Sequence, residues 1–394
     1  MRTNRVDDQA PRRLPAWDGA VRWAWPGRSR PGSAGARTVR RGGVVVRACP
    51  AAAAGREIWP APGEAAGHIF QDSDLIRAWI ATVGPVAGIA PWIVDVRDDQ
   101  GTRLLLLALG IERRAGLRLL RFLDGGVMDY TLPLLFPAAR DLSDATLAAI
   151  WAGLVRALPR FDVAVLDKMP AEVGGVPNPL IRLGAVPHAP DGYAMSLGGT
   201  AEDLAARLPR QRSRARHRRQ LAQAADTVGL RVAETSAEAD ALLSALLDHK
   251  ERQLRAMGRP GLRERPGVEA FYRRAAADLA PSGTVEVSAL AADGAVIAAC
   301  LCVVAPDRTT MLLTAYADGP WERFSPGGLL LDDLIRRSHA RGAAWFDFGI
   351  GDEPYKRDYC DARIALHRAI IPGSLLGRVV CAGRALLRRR TDTP

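Results

Sequence analysis

The chain has 394 residues, 48% hydrophobic and 25% charged, the balance of a globular protein too long for one ordinary core. No apolar run approaches the ~18 residues of a membrane span, and the five Cys form no CxxC pair, which argues against a disulfide framework or a zinc ribbon and for buried thiols in a cytoplasmic protein. The formal charge of +11 points toward nucleic acid, but eleven Arg against three Asp fall between Met1 and Arg47, so most of the excess belongs to one end of the chain.

Residues 1–43 are rich in Arg, Gly and Pro and lack periodicity, the composition of a disordered tail. A helix is predicted over 73–83, and strand 92–96 turns at Asp98-Asp99-Gln100-Gly101 into strand 102–109. Strand 117–123, a Gly/Pro loop over 124–133, a helix over 143–158 and strand 161–166 complete the first half. The second half repeats this order. Helices over 237–256 and 268–279 lead to strand 284–291, an Asp293-Gly294 hairpin turn and strand 295–304. Strand 309–316, a Gly/Pro loop, a helix over 328–341 and strand 345–348 follow. Two matching runs suggest a duplicated α/β unit. The expected domains are 56–190 and 191–375, followed by a basic helix or tail over 376–394.

Three stretches offer chemistry. Ser325-Pro326-Gly327-Gly328 opens a helix, where bare backbone and the positive helix end suit a phosphate. Asp347 interrupts an aromatic strand, and Asp352, Glu353, Tyr355 and Lys356 cluster just beyond it, offering acid, base and cation. Lys356 is one of only three lysines, with Lys168 and Lys250, in a chain that otherwise writes its cations as Arg. An Arg-rich helix places Arg210, Arg214 and Arg218 on one face, suited either to an anionic ligand or to solvent, and it lacks aromatics for stacking bases.

In this order, these motifs resemble the cellulose-biosynthesis (CelD/BcsL-type, BioF2-like) branch of the GNAT acetyltransferases. The resemblance runs over about 193–372. It rests on the basic helix, the His249-to-Gly258 helix end, Asp293-Gly294, Tyr316, Trp321, Ser325-Pro326-Gly327, Phe346-Asp347-Phe348-Gly349 and Tyr355-Lys356. A looser match over 68–185 includes Asp129-Tyr130. It implies tandem GNAT-like domains, each a mixed, largely antiparallel sheet flanked by helices, with acetyl-CoA or another acyl-CoA as co-substrate and neither a metal nor a covalently bound cofactor. Arg323, Ser325, Pro326, Gly327 and Gly328 are then the candidate CoA contacts. Arg323 precedes Gly327 by four residues rather than the three of the common GNAT loop. Asp347, Asp352, Tyr355 and Lys356 are the catalytic candidates, and Arg210, Arg214, Tyr316 and Trp321 the substrate-binding ones. The reaction expected is N- or O-acyl transfer to an amine or hydroxyl of a small-molecule or glycan-precursor acceptor in polysaccharide or cell-envelope synthesis. The alternatives are a Fem-type peptidyltransferase using aminoacyl-tRNA, and a non-catalytic regulatory scaffold.

Overall fold

Alternating and continuous apolar runs fold into two sheets whose strands are shared out in an order the sequence does not announce. The structure, a computed structural model, describes residues 35–188 and 190–391. The first half contributes β1 (Arg37–Arg41), β2 (Val44–Pro50), α1 (Ser73–Ala87), β3 (Ala90–Asp98), β4 (Arg103–Arg114) and β5 (Leu117–Phe122). It continues through the short β6 (Leu134–Leu135), α2 (Asp144–Ala157), β7 (Val163–Pro170), the hairpin β8 (Glu172–Val173) and β9 (Val176–Pro177), and β10 (Val186–Pro187). The second half opens with β11 (Gly192–Ser196), α3 (Ala201–Arg207), α4 (Gln211–Ala224), β12 (Val228–Val232), α5 (Ser236–Ala256) and α6 (Val268–Leu279). There follow β13 (Val285–Ala292), β14 (Ala295–Val304), β15 (Arg308–Tyr316), α7 (Pro326–Ala340), β16 (Trp345–Ile350), α8 (Pro354–Tyr359), β17 (Ala362–Ile364), β18 (Leu366–Pro372) and α9 (Leu375–Thr391).

The repeat holds strand for strand. The run β2-β3-β4-β5-β7 in one sheet matches β12-β13-β14-β15-β16 in the other. In each, three antiparallel steps end in one parallel pairing, β5 with β7 and β15 with β16. β11 adds antiparallel to β16, and one strand crosses between the halves: β18 returns from near the end of the chain to pair with β7. Sheet membership therefore does not respect a cut at 190/191. Residues 37–41, expected in the disordered tail, form β1 and pair with β2; residues 1–34 lie outside the described residues.

The halves are joined by a common core. Phe70, Trp79, Val83 and Met128 pack in one cluster with Leu243, Phe271, Val287 and Leu301. Asp72 caps α1 by accepting from the Asp74 and Leu75 amides. Gly267, with φ 74°, starts α6 against α1, where a Cβ would lie 2.7 Å from the Val83 backbone. That approach fixes α6, and with it α5, over the sheet that carries β15. Among the described residues no helix is long and apolar enough to cross a membrane.

Candidate functional site

The site grows from the parallel pair. β15 and β16 are in register at only three positions, Arg308 with Trp345, Thr309 with Phe346 and Thr310 with Asp347. Beyond these, β15 runs on to Tyr316 and β16 to Ile350 without pairing to each other, so the sheet opens between them and leaves facing main-chain groups unclaimed by that ladder. Side chains take them up. The Lys250 ammonium, from α5, donates to the Thr314 carbonyl at 3.1 Å. The Lys356 ammonium, from α8, donates to the Ile350 carbonyl at 2.8 Å and the Gly349 carbonyl at 3.3 Å, and pairs with Glu353 at 3.0 Å. Lys356 is thus buried against the open end of β16 rather than extended into solvent. Burial lowers the basicity of Lys250. Burial also resists ionisation of Glu353, but the charges of Lys356 and Lys250 and the hydrogen bonds to the carboxylate together hold it below its ordinary range.

Sequence reasoning did not single out Asp129 as a site residue. Its carboxylate accepts the Ile350 amide at 3.2 Å and lies against Gly349, where a Cβ would come within 2.1 Å of Oδ2. Gly349 has φ 69°, so both conformation and space demand glycine there. Burial raises the Asp129 pKa to about 7, opposed by the positive charges of Lys168 and Lys356. Lys168 itself donates to Asp124 at 3.0 Å and to the Met128 carbonyl at 2.7 Å. All three lysines of the chain therefore gather around Asp129 and the opening between β15 and β16. The sequence signal was lysine rarity together with Asp129-Tyr130 after a Gly-Gly loop.

At the other wall stands the start of α7. Ser325 holds a left-handed backbone, φ 52° and ψ 55°, a conformation that costs a non-glycine residue on the order of 1 kcal/mol. The Arg214 guanidinium donates to the Ser325 hydroxyl at 2.7 Å and the Tyr359 hydroxyl at 3.3 Å, and stands 3.7 Å from Asp332. It fills the space that a Cβ on Gly328 would need. Gly327 faces the half-exposed Tyr316 ring, 3.0 Å from a built Cβ. Bare glycine backbone was expected to meet a phosphate directly; instead Arg214 covers Gly328, so a cation lies at the positive end of the helix. These residues fit the phosphates of a CoA-type donor through the guanidinium.

The remaining candidates are scattered. Asp347 is fully buried at the closed end of the pair and accepts from the Tyr130 hydroxyl at 2.8 Å, Arg308 at 2.9 Å and the Gly349 amide at 2.8 Å. Burial opposes its ionisation, but His68 and Arg308 outweigh that and keep its pKa below the ordinary carboxylate value. So committed, it is unsuited to accepting a proton, which corrects the expectation of a base there. Asp352 is exposed and accepts from Tyr193 at 3.1 Å. Tyr355 packs edge-on to Phe348, and burial pushes its phenol upward. Pro326 is buried, Trp321 lies beside Phe324, and exposed Arg323 stacks over that same ring. Arg210 pairs with Asp358 at 2.7 Å and Arg218 with Asp333 at 2.8 Å. The Arg210–Arg214–Arg218 face of α4 is thus engaged in intramolecular pairs, with Arg210 and Arg218 still exposed and Arg214 largely buried.

The fold and this opening define the class: a mixed α/β, tandem GNAT-like architecture. Residues 209–357, from α4 into α8, match the family model described as Acetyltransferase (GNAT) domain, so the chain carries a GNAT-type acetyltransferase domain. No curated protein matches the sequence. Among solved structures, FemX is 12% identical, covering 78% of this chain and 94% of that chain with a TM-score of 0.52, a likeness of fold. L-PGS from Bacillus licheniformis is 12% identical over 82% of this chain and 98% of that chain, TM-score 0.46. A tandem GNAT protein from the clavulanic acid biosynthesis pathway is 12% identical over 79% and 90%, TM-score 0.41.

Proposed function

We propose that this protein transfers an acyl group from acyl-CoA to an amine or hydroxyl at the opening between β15 and β16. The observation that carries this reading is the three-position pairing of those strands, with α7 and Arg214 on one side and Lys356 on the other. Arg214, Ser325 and the start of α7 hold the donor phosphates. The thioester supplies the activated acyl group: as the new C–N or C–O bond forms its C–S bond breaks, and CoA leaves as the thiolate, which takes up the released proton. Asp129, with a pKa near neutrality, takes the proton of the attacking amine or hydroxyl. The Lys356 ammonium, held by two carbonyls and Glu353, stabilises the negative charge that develops on the carbonyl oxygen. A glycan-precursor acceptor and a place in the cellulose-biosynthesis branch rest on the motif set from Asp293-Gly294 to Tyr355-Lys356.

A second reading, a Fem-type transferase using aminoacyl-tRNA, is favoured by a different observation. Arg212, Arg216 and Arg219 form an exposed stripe on α4, beside the donor wall, with no ion pair among the described residues. Titration calorimetry separates the two. Under the first reading Arg214→Ala weakens acetyl-CoA binding about tenfold or more, the loss of a charge-assisted contact, and Arg212→Ala/Arg216→Ala/Arg219→Ala leaves it unchanged. Unchanged acetyl-CoA affinity in Arg214→Ala, with salt-sensitive tRNA binding lost in the triple variant, refutes the first and supports the second.

A further inference from the structure

α9 follows β18 after a short turn and packs back against that strand. Its rotation is fixed by one close approach. The Ser374 hydroxyl donates to Asp162 at 2.9 Å and accepts the Gly377 amide at 3.1 Å. Gly377 then meets the Asp162 carbonyl, which a Cβ at that position would strike, so only glycine fits there. Position 377 therefore faces the sheet. At about 100° of turn per residue, positions 375 and 379 lie on the opposite side of the helix.

We propose that α9 docks on the surface of an anionic lipid bilayer, lying in the plane of the headgroups. Two observations support it. The first is what the fixed rotation turns outward. Leu375, Leu376 and Val379 are 78%, 52% and 70% exposed, a cluster of large apolar side chains on one side of one helix. Ala382 and Gly383 continue that exposed surface, and in the sequence the apolar positions go on to Leu386 and Leu387. A helix that gives glycine to the core and turns leucine and valine outward is patterned against water. The same pattern suits a helix whose outer face meets hydrocarbon.

The second observation is charge. The α9 sequence holds five Arg (Arg378, Arg384, Arg388, Arg389 and Arg390) and no Asp or Glu. Arg378 is exposed and has no ion pair among the described residues. The same holds for Arg160, which precedes the Phe161 ring on which Gly373 packs. Anionic lipid answers both features, with hydrocarbon for the leucines and phosphate for the guanidiniums. A nucleic acid would meet leucine and valine where it needs polar groups, and α9 has no aromatic residue to stack a base. A second copy seated helix on helix would set five Arg against five with no carboxylate on either helix. The 17 residues of α9 make a helix roughly 25 Å long, which fits lying on the headgroups.

The test is flotation of the full chain with vesicles, without any acyl donor. Vesicles of phosphatidylcholine with about one third phosphatidylglycerol are expected to carry the protein up the gradient, and phosphatidylcholine alone to carry about tenfold less. Salt at about 0.5 M is expected to release much of the bound protein. Leu375→Ser/Leu376→Ser/Val379→Ser changes only exposed side chains, so its urea melt should coincide with the parent's, while its binding to the mixed vesicles falls about tenfold or more. The Arg-rich stretch up to Arg47 is intact in that variant, so adhesion through it would survive. Arg388→Gln/Arg389→Gln/Arg390→Gln reads the same docking through charge and is also expected to lose the mixed vesicles. The proposal is overturned if mixed vesicles do not bind the protein, if either variant binds as the parent does, or if salt or lipid charge makes no difference. A dimer in sedimentation velocity that the leucine–valine variant splits also overturns it, by making the outward face an interface between copies. None of these readouts involves acyl transfer, so the acyl-transfer reading stands or falls separately.

Discussion

Asp129→Asn tests the site through stability as well as chemistry. The folded protein raises the Asp129 pKa from 3.8 to about 7, mainly by burial. A raised carboxyl pKa means that the folded state resists ionisation, whereas the unfolded chain ionises freely. Below about pH 4 both states are protonated and the residue is neutral toward folding. As pH climbs from there through about 7, stability drains away; above 7 the loss is complete. Three pKa units correspond to about 4 kcal/mol, an upper bound. Asparagine is a permanent stand-in for the protonated acid, and its side-chain oxygen can still accept the Ile350 amide. The variant is therefore expected to match the parent near pH 4 and to be more stable by up to about 4 kcal/mol near pH 8, while losing acyl transfer. Urea melts across that range read the difference directly, and the pH at which its rise levels off reports the folded pKa. A gap that does not change with pH, or an Asn variant less stable at pH 8, refutes a perturbed carboxyl at this position and with it the assignment of the base.

Lys356→Ala is expected to cut turnover by about two orders of magnitude, the usual consequence of losing one oxyanion donor, with acetyl-CoA affinity preserved in calorimetry. It also strips the Gly349 and Ile350 carbonyls and Glu353 of their partner, so its melting temperature should fall; Lys356→Arg restores activity only in part. Deleting residues 1–43 removes β1 and bares the edge of β2, whose Val44 and Val46 are buried, so the truncated chain should unfold at lower urea than the parent. Coincident melts would show that β1 contributes nothing to the sheet.

Local rules made much of the architecture readable. The Asp293-Gly294 hairpin follows from two residues that tolerate positive φ, 48° and 79° in the structure, between alternating apolar strands. The amphipathic period marked α5 and α6, and the bounds 268–279 were legible to the residue. The duplicated order of elements was equally present in the sequence, because each element depends on neighbours a few positions apart. What the sequence left open was every decision made across long separations. Nothing local says that β18 returns to the first sheet, since strand pairing depends on which edge is free when the chain arrives. Asp347 looked like a catalytic base because its sealing partner, Tyr130, is 217 positions away. Asp129 looked ordinary because its pKa is raised only when other segments exclude water from it. The lysines drew notice by their rarity, but only the tertiary structure brings Lys168, Lys250 and Lys356 to one opening. Burial and the distance between charges belong to the folded packing, and no pattern along the chain encodes them locally.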